Sequence, residues 1–253
     1  MRTAIYVDGF NLYYGALKGT PYKWLNIDDL MPRLLPPICN VTEIKYFTAR
    51  VSGATDIDAP RRQAIYLSAL RTIPHIEIHF GSFLSKTIWR PTITLPVANR
   101  NIRSPVIANL PAGDFHVDDI NQTLAVGSYP PRGAVRVKTA KVPLRDAVVA
   151  EVHTMEEKGS DVNIAAHLLN DAWKDEYDVA VVISNDSDLV APIRMVVRER
   201  RKIVYIVCPS RRAASKKLTA VASGVRHIHP AMLVASQFPN PIPGTLITKP
   251  ATW

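Results

Sequence analysis

Short apolar runs alternate with amphipathic segments in both halves of the chain, and this alternation limits the possible folds more than any other feature. The apolar runs predict strands at residues 3–7, 42–50, 75–80, 179–184, 203–208 and 226–229. The segments between them predict helices at residues 10–18, 27–35, 61–72, 161–173, 188–200 and 213–222. Such an alternation favours an α/β fold, with a parallel sheet, right-handed crossovers and helices on both faces.

The middle of the chain, residues 84–143, does not follow this alternation. Proline and glycine recur there, and helical periodicity is weak. Because a structureless loop of this length is improbable in a compact domain, we expect a β-rich insertion. A further strand is expected at 147–153, after which the alternation resumes. The sequence therefore predicts one domain over residues 1–236 that contains the insertion, followed by an extended, proline-rich C-terminal tail at 237–253.

The charge of the chain favours partners that carry phosphate. The 253 residues have a formal net charge of +9 and a sequence pI of about 9.6. No apolar run reaches the roughly 18 residues of a membrane span, and the N-terminus lacks the pattern of a signal peptide. Two scattered cysteines, Cys39 and Cys208, fit a reducing compartment. We therefore expect a cytoplasmic protein that does not associate with membranes.

Aspartates follow two of the predicted strands at the point where each strand ends. Asp8 follows residues 3–7, and Asp186 and Asp188 follow residues 179–184. Because the carboxyl ends of parallel strands lie at one edge of the sheet, these side chains are expected to converge. Asp161 begins a predicted helix and would join them if that helix lies beside the same edge.

A cluster of this kind needs a counterion. Two carboxylates about 5 Å apart repel by roughly 3 kcal/mol at an effective dielectric of about 20, so cations or protons must be present. Oxygen ligands without cysteine or a nearby histidine suit Mg²⁺ or Mn²⁺, and two such ions could clamp a phosphodiester. The four aspartates Asp8, Asp161, Asp186 and Asp188 are thus the expected metal ligands, and Asn11 joins them in the expected catalytic set.

Each motif by itself also has a structural explanation. Asp8 and Gly9 could form only a turn. One of residues 186–187, and likewise one of residues 160–161, could serve only as the N-cap of the helix that follows. The occurrence of two apolar strands that both end in aspartate favours a site over these separate explanations.

Three segments of the sequence resemble the LabA-like NYN-domain family, within the PIN-like nuclease superfamily. They are AIYVDGFNL at residues 4–12, EKGSDV at 157–162 and VISNDSDL at 182–189, in the order that the family has. The resemblance covers roughly residues 1–82 and 149–230, so it says little about the insertion. It implies a PIN-like Rossmannoid fold, which is a three-layer sandwich around a central parallel sheet, together with an acidic metal site and cleavage of RNA.

The same resemblance implies a role for each acidic residue. Asp8 is similar to the metal ligand of the first strand, and Asn11 to the polar residue that supports it. Asp161 corresponds to the acid carried by a helix, and Asp186 and Asp188 to the pair that follows the late strand.

Polar and basic residues near these acids are the expected contacts of the substrate. Arg211 and Arg212 follow the predicted strand at 203–208. Their side chains could contact phosphate or could simply be solvated, and the sequence does not decide between these roles. A base could stack on Tyr14, although packing is the commoner role for such a residue. The expected substrate-binding residues are Lys158, Ser184, Asn185, Arg211 and Arg212.

The favoured function is a divalent-metal-dependent ribonuclease acting on single-stranded RNA, and its alternative is a non-catalytic RNA-binding or regulatory module. A phosphatase of the haloacid-dehalogenase kind needs a second acid two residues after the first, where this chain has Phe10. A dinucleotide-binding module is disfavoured because no G-x-G-x-x-G follows the first strand. The insertion or the C-terminal tail could support a homo-oligomer.

Overall fold

A computed structural model describes residues 1–53, 56–92, 148–209 and 213–253, with the backbone alone over 84–92 and 148–158. The chain forms two compact units. One consists of Met1–Phe83 together with Glu157–Trp253, and the other is Leu84–Glu156. The first unit contains a six-stranded sheet, and the remaining two strands form a separate two-stranded sheet.

The strands are numbered in chain order over the described residues. They are β1 (Arg2–Asp8), β2 (Asn40–Thr48), β3 (Ile76–Phe80), β4 (Ser82–Thr92), β5 (Val148–Lys158), β6 (Val179–Ile183), β7 (Ile203–Cys208) and β8 (Gly224–His227). The large sheet has the order β3-β2-β1-β6-β7-β8, and every neighbouring pair in it is parallel. The strand order reverses between β1 and β6, and at such a position a parallel α/β sheet opens a crevice at its carboxyl edge.

Helices cover both faces of the large sheet. They are α1 (Gly9–Leu12), α2 (Ile27–Leu34), α3 (Ala59–Leu70), α4 (Ser160–Trp173), α5 (Val190–Glu199), α6 (Lys216–Thr219) and α7 (Pro230–Ala235). One core lies between the sheet and the layer of α2, α3 and α7, and a second lies under α4, α5 and α6. The prediction of a three-layer α/β sandwich around a central parallel sheet is confirmed, and this architecture is consistent with the expected PIN-like Rossmannoid fold.

The central strands are apolar because both of their faces are covered. In β1, Ile5 and Val7 belong to the core under α2 and α3, whereas Ala4 and Tyr6 belong to the core under α4. All five residues of β6 are buried. Fully apolar strands of this kind are typical of buried parallel sheets.

Most predicted elements agree with the observed ones to within about two residues. The strand predicted at 147–153 is longer and forms β5, and β4 was not predicted. The first helix is the short α1, continued by a π-helical turn over Tyr13–Leu17. The helix expected at 213–222 is limited to α6, and the backbone N–H of Ser215, just before it, donates to the side chain of Asn185. Helix α7 was not expected; Pro230 at its first position favours its start.

The C-terminal residues pack onto the large unit. Gln237 pairs with Leu25 in an isolated bridge, and Phe238 and Ile242 are buried in the core under α2 and α3. The Trp253 ring lies 6.0 Å from that of Trp24. The segment predicted as an extended tail therefore completes one of the two cores.

Within the described parts of the chain, no helix combines the length and apolar character needed to cross a bilayer.

Candidate acidic site at the carboxyl edge of the sheet

The ends of β1 and β6 meet at the reversal of strand order. Val7 pairs with Ile183 in the parallel register, so the next residues, Asp8 and Ser184, leave the sheet side by side. The Ser184 hydroxyl donates to Asp8 Oδ2 at 3.1 Å. Both side chains are buried, with only 4% of Asp8 exposed. Two residues 176 positions apart are thereby joined at one point of the carboxyl edge.

The start of α1 holds the Asp8 carboxylate in place. Asp8 is the N-cap of this helix, and its Oδ1 accepts from the backbone N–H of Asn11 at 2.8 Å. Gly9 is needed at the next position, because an added Cβ would lie 2.7 Å from the Tyr46 hydroxyl and 2.8 Å from the Phe47 carbonyl oxygen. The close approach of α1 to β2 thus fixes the direction in which the carboxylate leaves β1.

The segment after β6 brings a second carboxylate to the same place. The backbone N–H of Asp186 donates to Ser184 Oγ at 3.1 Å, so this hydroxyl links the Asp186 backbone to the Asp8 carboxylate. The Asp186 carboxylate is near enough to raise the pKa of Asp8. Asp186 Oδ1 in turn accepts from the backbone N–H of Asp188 at 2.9 Å and caps the 3₁₀ turn Ser187–Leu189. This cap gives the Asp186 side chain a structural role, whereas Asp188 contributes only its backbone N–H to it.

Two asparagines connect the site to neighbouring segments. Asn11 Oδ1 accepts from the backbone N–H of Asn185 at 3.3 Å, and Asn185 Oδ1 accepts from the backbone N–H of Ser215 at 2.7 Å. The network therefore ties together α1, the end of β6 and the start of α6. Lys216 and Lys217 follow directly and are exposed, which places positive charge next to the network.

The electrostatics of Asp8 are those of a buried acid beside another acid. Burial raises the pKa of Asp8 above its ordinary value, and the Asp186 carboxylate raises it further. Hydrogen bonds from Asn11 and Ser184 lower the pKa but do not offset the burial. Asp8 also raises the pKa of the buried Tyr46 hydroxyl, after the larger effect of burial. Such a carboxylate is stabilised by a proton or by a bound cation.

The donors at this edge fit a small, hard cation. Asp8 and Asp186 offer only oxygen, and Mg²⁺ usually binds one or two carboxylates while it keeps water and substrate phosphate as its other ligands. Among the residues that the structure describes, no three acidic, histidine or cysteine side chains form a group able to hold a metal ion. The meeting of all four aspartates at one ion therefore stays a prediction.

Asp161 lies half-buried in the first turn of α4. Gly159 precedes this helix with a φ of +100°, a left-handed conformation that favours glycine. The chain thus turns sharply just before Asp161.

The predicted substrate contacts have different outcomes. Ser184 is fully buried and its hydroxyl serves Asp8 and Asp186, so it positions the carboxylates and does not offer the substrate contact expected from the sequence. Asn185 is half-buried. Lys158 is described by its backbone alone, and Arg211 and Arg212 lie outside the described residues.

Sequence reasoning missed Tyr46 and the backbone N–H of Ser215. Tyr46 pairs with Val7 across β1 and β2, and its hydroxyl lies against Gly9. A tyrosine in an apolar strand and an amide N–H in a loop leave no distinguishing pattern, so only the pairing of distant segments identifies them.

Comparisons with known proteins give one family and two similar proteins. The family model described as "NYN domain" matches residues 127–229. The chain is 30% identical over 275 residues to 6-hydroxy-3-succinoylpyridine 3-monooxygenase HspA of Pseudomonas putida (strain DSM 28022 / S16), an alignment covering 100% of this chain and 75% of that protein. A solved structure of a protein of unknown function from Vibrio parahaemolyticus RIMD 2210633 is similar with a TM-score of 0.43 and 15% identity, over 90% of this chain and 93% of that one.

Proposed function

Because the chain belongs to the NYN-domain family of PIN-like nucleases, we propose that it is a divalent-metal-dependent ribonuclease that hydrolyses RNA phosphodiester bonds. The narrower LabA-like assignment stays a prediction. The observation that carries the proposal is the hydrogen bond from Ser184 to Asp8, because it brings a buried carboxylate of β1 to the segment that carries Asp186.

In this proposal Asp8 and Asp186 hold a Mg²⁺ or Mn²⁺ ion, with Asp161 and Asp188 as further ligands. The bound ion would polarise a phosphoryl oxygen and favour deprotonation of the attacking water. Oxygen donors and the raised pKa of Asp8 both support a cation at this position.

The chain's own residues orient the acids and the substrate. Ser184 and Asn11 each donate to Asp8, which keeps its carboxylate in one direction and favours its charged form. Lys216 and Lys217 supply positive charge for the RNA backbone. Further phosphate contacts are proposed for Lys158, Asn185, Arg211 and Arg212.

Cleavage of a labelled single-stranded RNA tests the proposal directly. We expect the purified chain to cut it with Mg²⁺ or Mn²⁺ and to stop when the ion is chelated. Asp8→Asn and Asp186→Asn should each lower the rate by about a hundred- to a thousandfold, the usual cost of losing one charge-stabilising group.

Asp175 offers a matched control. It is an exposed acid at the opposite edge of the sheet, where it pairs with Arg2 at the start of β1. Asp175→Asn should cut RNA at the wild-type rate. Equal rates for Asp8→Asn and Asp175→Asn would exclude the assigned site.

The non-catalytic alternative makes a different prediction. An RNA-binding module would bind RNA with an affinity that falls steeply with salt, yet it would give no turnover with any divalent ion. Assembly into a homo-oligomer through the insertion or the C-terminal segment and a cytoplasmic location also stay predictions.

A second candidate activity follows from the similarity along the whole chain to a protein named as a monooxygenase. A monooxygenase inserts one oxygen atom of O₂ into its substrate and reduces the other to water with two electrons from a reductant. Oxygen uptake that requires both a hydroxypyridine and an added two-electron reductant, in a preparation that does not cut RNA, would favour this activity.

A further inference from the structure

Two aromatic rings follow Asp8 along the chain: Phe10 in α1, which Asp8 caps, and Tyr14 in the π-helical turn that continues α1. The Phe10 and Tyr14 rings are nearly parallel, with an interplanar angle of 18° and centroids 6.4 Å apart. Phe83 supports Phe10 edge-on at 5.6 Å. We call Phe10 and Tyr14 together the aromatic face.

The helix geometry places this face beside the centre of the network. Asn11, which accepts from the Asn185 N–H, immediately follows Phe10 and precedes Tyr14 by three residues. Residues three apart on a helix are neighbours, with Cβ atoms about 5–6 Å apart. Tyr14 is therefore about one helical turn from Asn11, which accepts a hydrogen bond from the segment that follows β6.

A positive charge accompanies the rings. Lys18 Nζ lies 4.9 Å from the centroid of the Tyr14 ring. Its backbone N–H donates to the Tyr13 carbonyl at 2.7 Å and closes the π-helical turn, so Lys18 follows the aromatic face at a fixed position. A π-helical turn within a helix often marks a functional site.

The exposure of the rings separates this face from ordinary packing. Trp24 and Tyr66, which are aromatic residues of the neighbouring core, are buried. Tyr14 is 40% exposed and Phe10 is only partly buried. A ring kept at the surface, beside a cation and one turn from a cluster of acids, has the composition of a stacking site for nucleic-acid bases.

We propose that the aromatic face and Lys18 bind one unpaired nucleobase of RNA, stacked on the rings, with its phosphate near Lys18. The proposal rests on the proposed function, since RNA is the ligand. Bases of single-stranded RNA are free to stack on protein aromatics, whereas bases within a duplex are not. The face therefore selects substrates that are unpaired at the nucleotide next to the acidic site.

Binding of a fluorescent RNA tests the proposal without turnover. A short single-stranded RNA that carries a fluorescent adenine analogue is titrated with the full-length protein in the presence of a chelator. Stacking changes the fluorescence of the analogue. Tyr14→Ala and Phe10→Leu should each weaken binding about tenfold and remove that change, since one stacked base accounts for about this factor.

Two further variants control for structure. Tyr14→Trp keeps a stacking ring and should retain wild-type affinity. Trp173→Ala removes a ring that is 45% exposed at the end of α4, outside the acidic site, and should also bind as wild type does. Thermal unfolding of every variant verifies that Phe10→Leu, which keeps apolar contact with Phe83, is folded.

Separate assays distinguish failure of this proposal from failure of the proposed function. If wild type cuts RNA and the folded Tyr14→Ala and Phe10→Leu variants bind and cut as wild type does, the stacking site is wrong and the nuclease remains. If wild type cuts nothing but these variants lose affinity, the stacking site stands and the nuclease fails. If wild type does not bind the RNA, and a free hydroxypyridine instead quenches the intrinsic fluorescence of the protein, the stacking proposal is overturned.

Discussion

Asp8 and Asp171 are two buried carboxylates, and among the residues that the structure describes only Asp171 is hydrogen-bonded to a cationic side chain. Asp171 is 1% exposed, accepts from Lys45 Nζ at 2.7 Å and accepts from the Tyr6 hydroxyl at 2.6 Å. The described contacts of Asp8 are with neutral donors, Asn11 and Ser184, and with the negative charge of Asp186.

The pKa directions of the two acids follow from this difference. Burial alone would raise the pKa of Asp171, but hydrogen bonds from Lys45, Tyr6 and Asn170 bring it below its ordinary value. Burial raises the pKa of Asp8, and its hydrogen bonds do not reverse the shift. The comparison teaches that a buried acid with an internal partner serves the fold, whereas one without a cation is suited to bind an ion from outside.

The largest expected effect in this comparison is the loss of the internal partner. Among the described residues, Asp171→Asn leaves Glu43, 3.1 Å away, as the remaining acid beside the buried Lys45 ammonium. The free energy of unfolding should therefore fall by about 3–5 kcal/mol. Chemical denaturation measures this loss.

A double variant sharpens the same test. Lys45→Met combined with Asp171→Asn removes the unpaired charge, while the amide oxygen can still accept from Tyr6. It should recover most of the lost stability. If the double variant is no more stable than Asp171→Asn, the ion pair with Lys45 is not the reason that Asp171 stabilises the fold.

The next effect is stabilisation by an added metal ion. At about a hundred times its dissociation constant, Mn²⁺ should raise the free energy of unfolding of wild type by about 2.7 kcal/mol. Asp8→Asn should lose this gain, and Asp175→Asn should keep it. Equal stabilisation of both variants would show that the ion binds elsewhere.

The pH dependence should have opposite signs for the two acids. The pKa of Asp8 is higher in the folded protein than in the unfolded chain, so the charged Asp8 lowers the free energy of unfolding at neutral pH. This destabilisation is lost as the pH falls through the raised pKa of Asp8 toward the ordinary value of 3.8. The contribution of Asp171 is present above 3.8 and is lost as the pH falls through its lowered pKa.

Denaturation of metal-free protein over a range of pH measures these contributions. Asp8→Asn should be more stable than wild type at neutral pH, by a margin that narrows as the pH falls. A margin that widens instead would contradict the raised pKa of Asp8.

The smallest expected effect concerns the charge beside the acids. Lys216→Ala and Lys217→Ala should each weaken RNA binding a few-fold, equally for different sequences, and lower the salt slope by about 0.7 for each lost phosphate contact. Lys174→Ala, at the exposed end of α4, is the matched control and should change neither quantity. If the salt dependence of RNA binding is unchanged in all three variants, α6 is not part of the RNA-binding surface.

The sequence predicts the sheet well because the central strands are recognisable as short, continuous apolar runs. Strands β1 and β6 are apolar on both faces, and the rule that parallel strands end at one edge brings Asp8 toward Asp186 without further information. The fold and the first pair of acids follow from these two facts.

The remaining contacts depend on pairings that a single sequence does not reveal. Lys45 and Asp171 are 126 positions apart, and neither residue stands in a recognisable motif. The buried position of Ser184 is likewise set by its two hydrogen bonds, so a serine next to acids was assigned to the substrate when it serves the acids. The hydrogen bond from the Ser215 N–H to Asn185 likewise joins segments 30 positions apart.

The position of β1 between β2 and β6 has a practical consequence for dissecting the protein. Residues 1–83 carry Asp8 and residues 157–253 carry Asp186, so a piece cut to the matching region at 127–229 discards the middle strand together with half of the acidic pair. Two separately expressed fragments, one from each side of the intervening unit, would have to associate before Asp8 and Asp186 could meet. If neither fragment binds the ion alone and their mixture does, the ion binding measures this association.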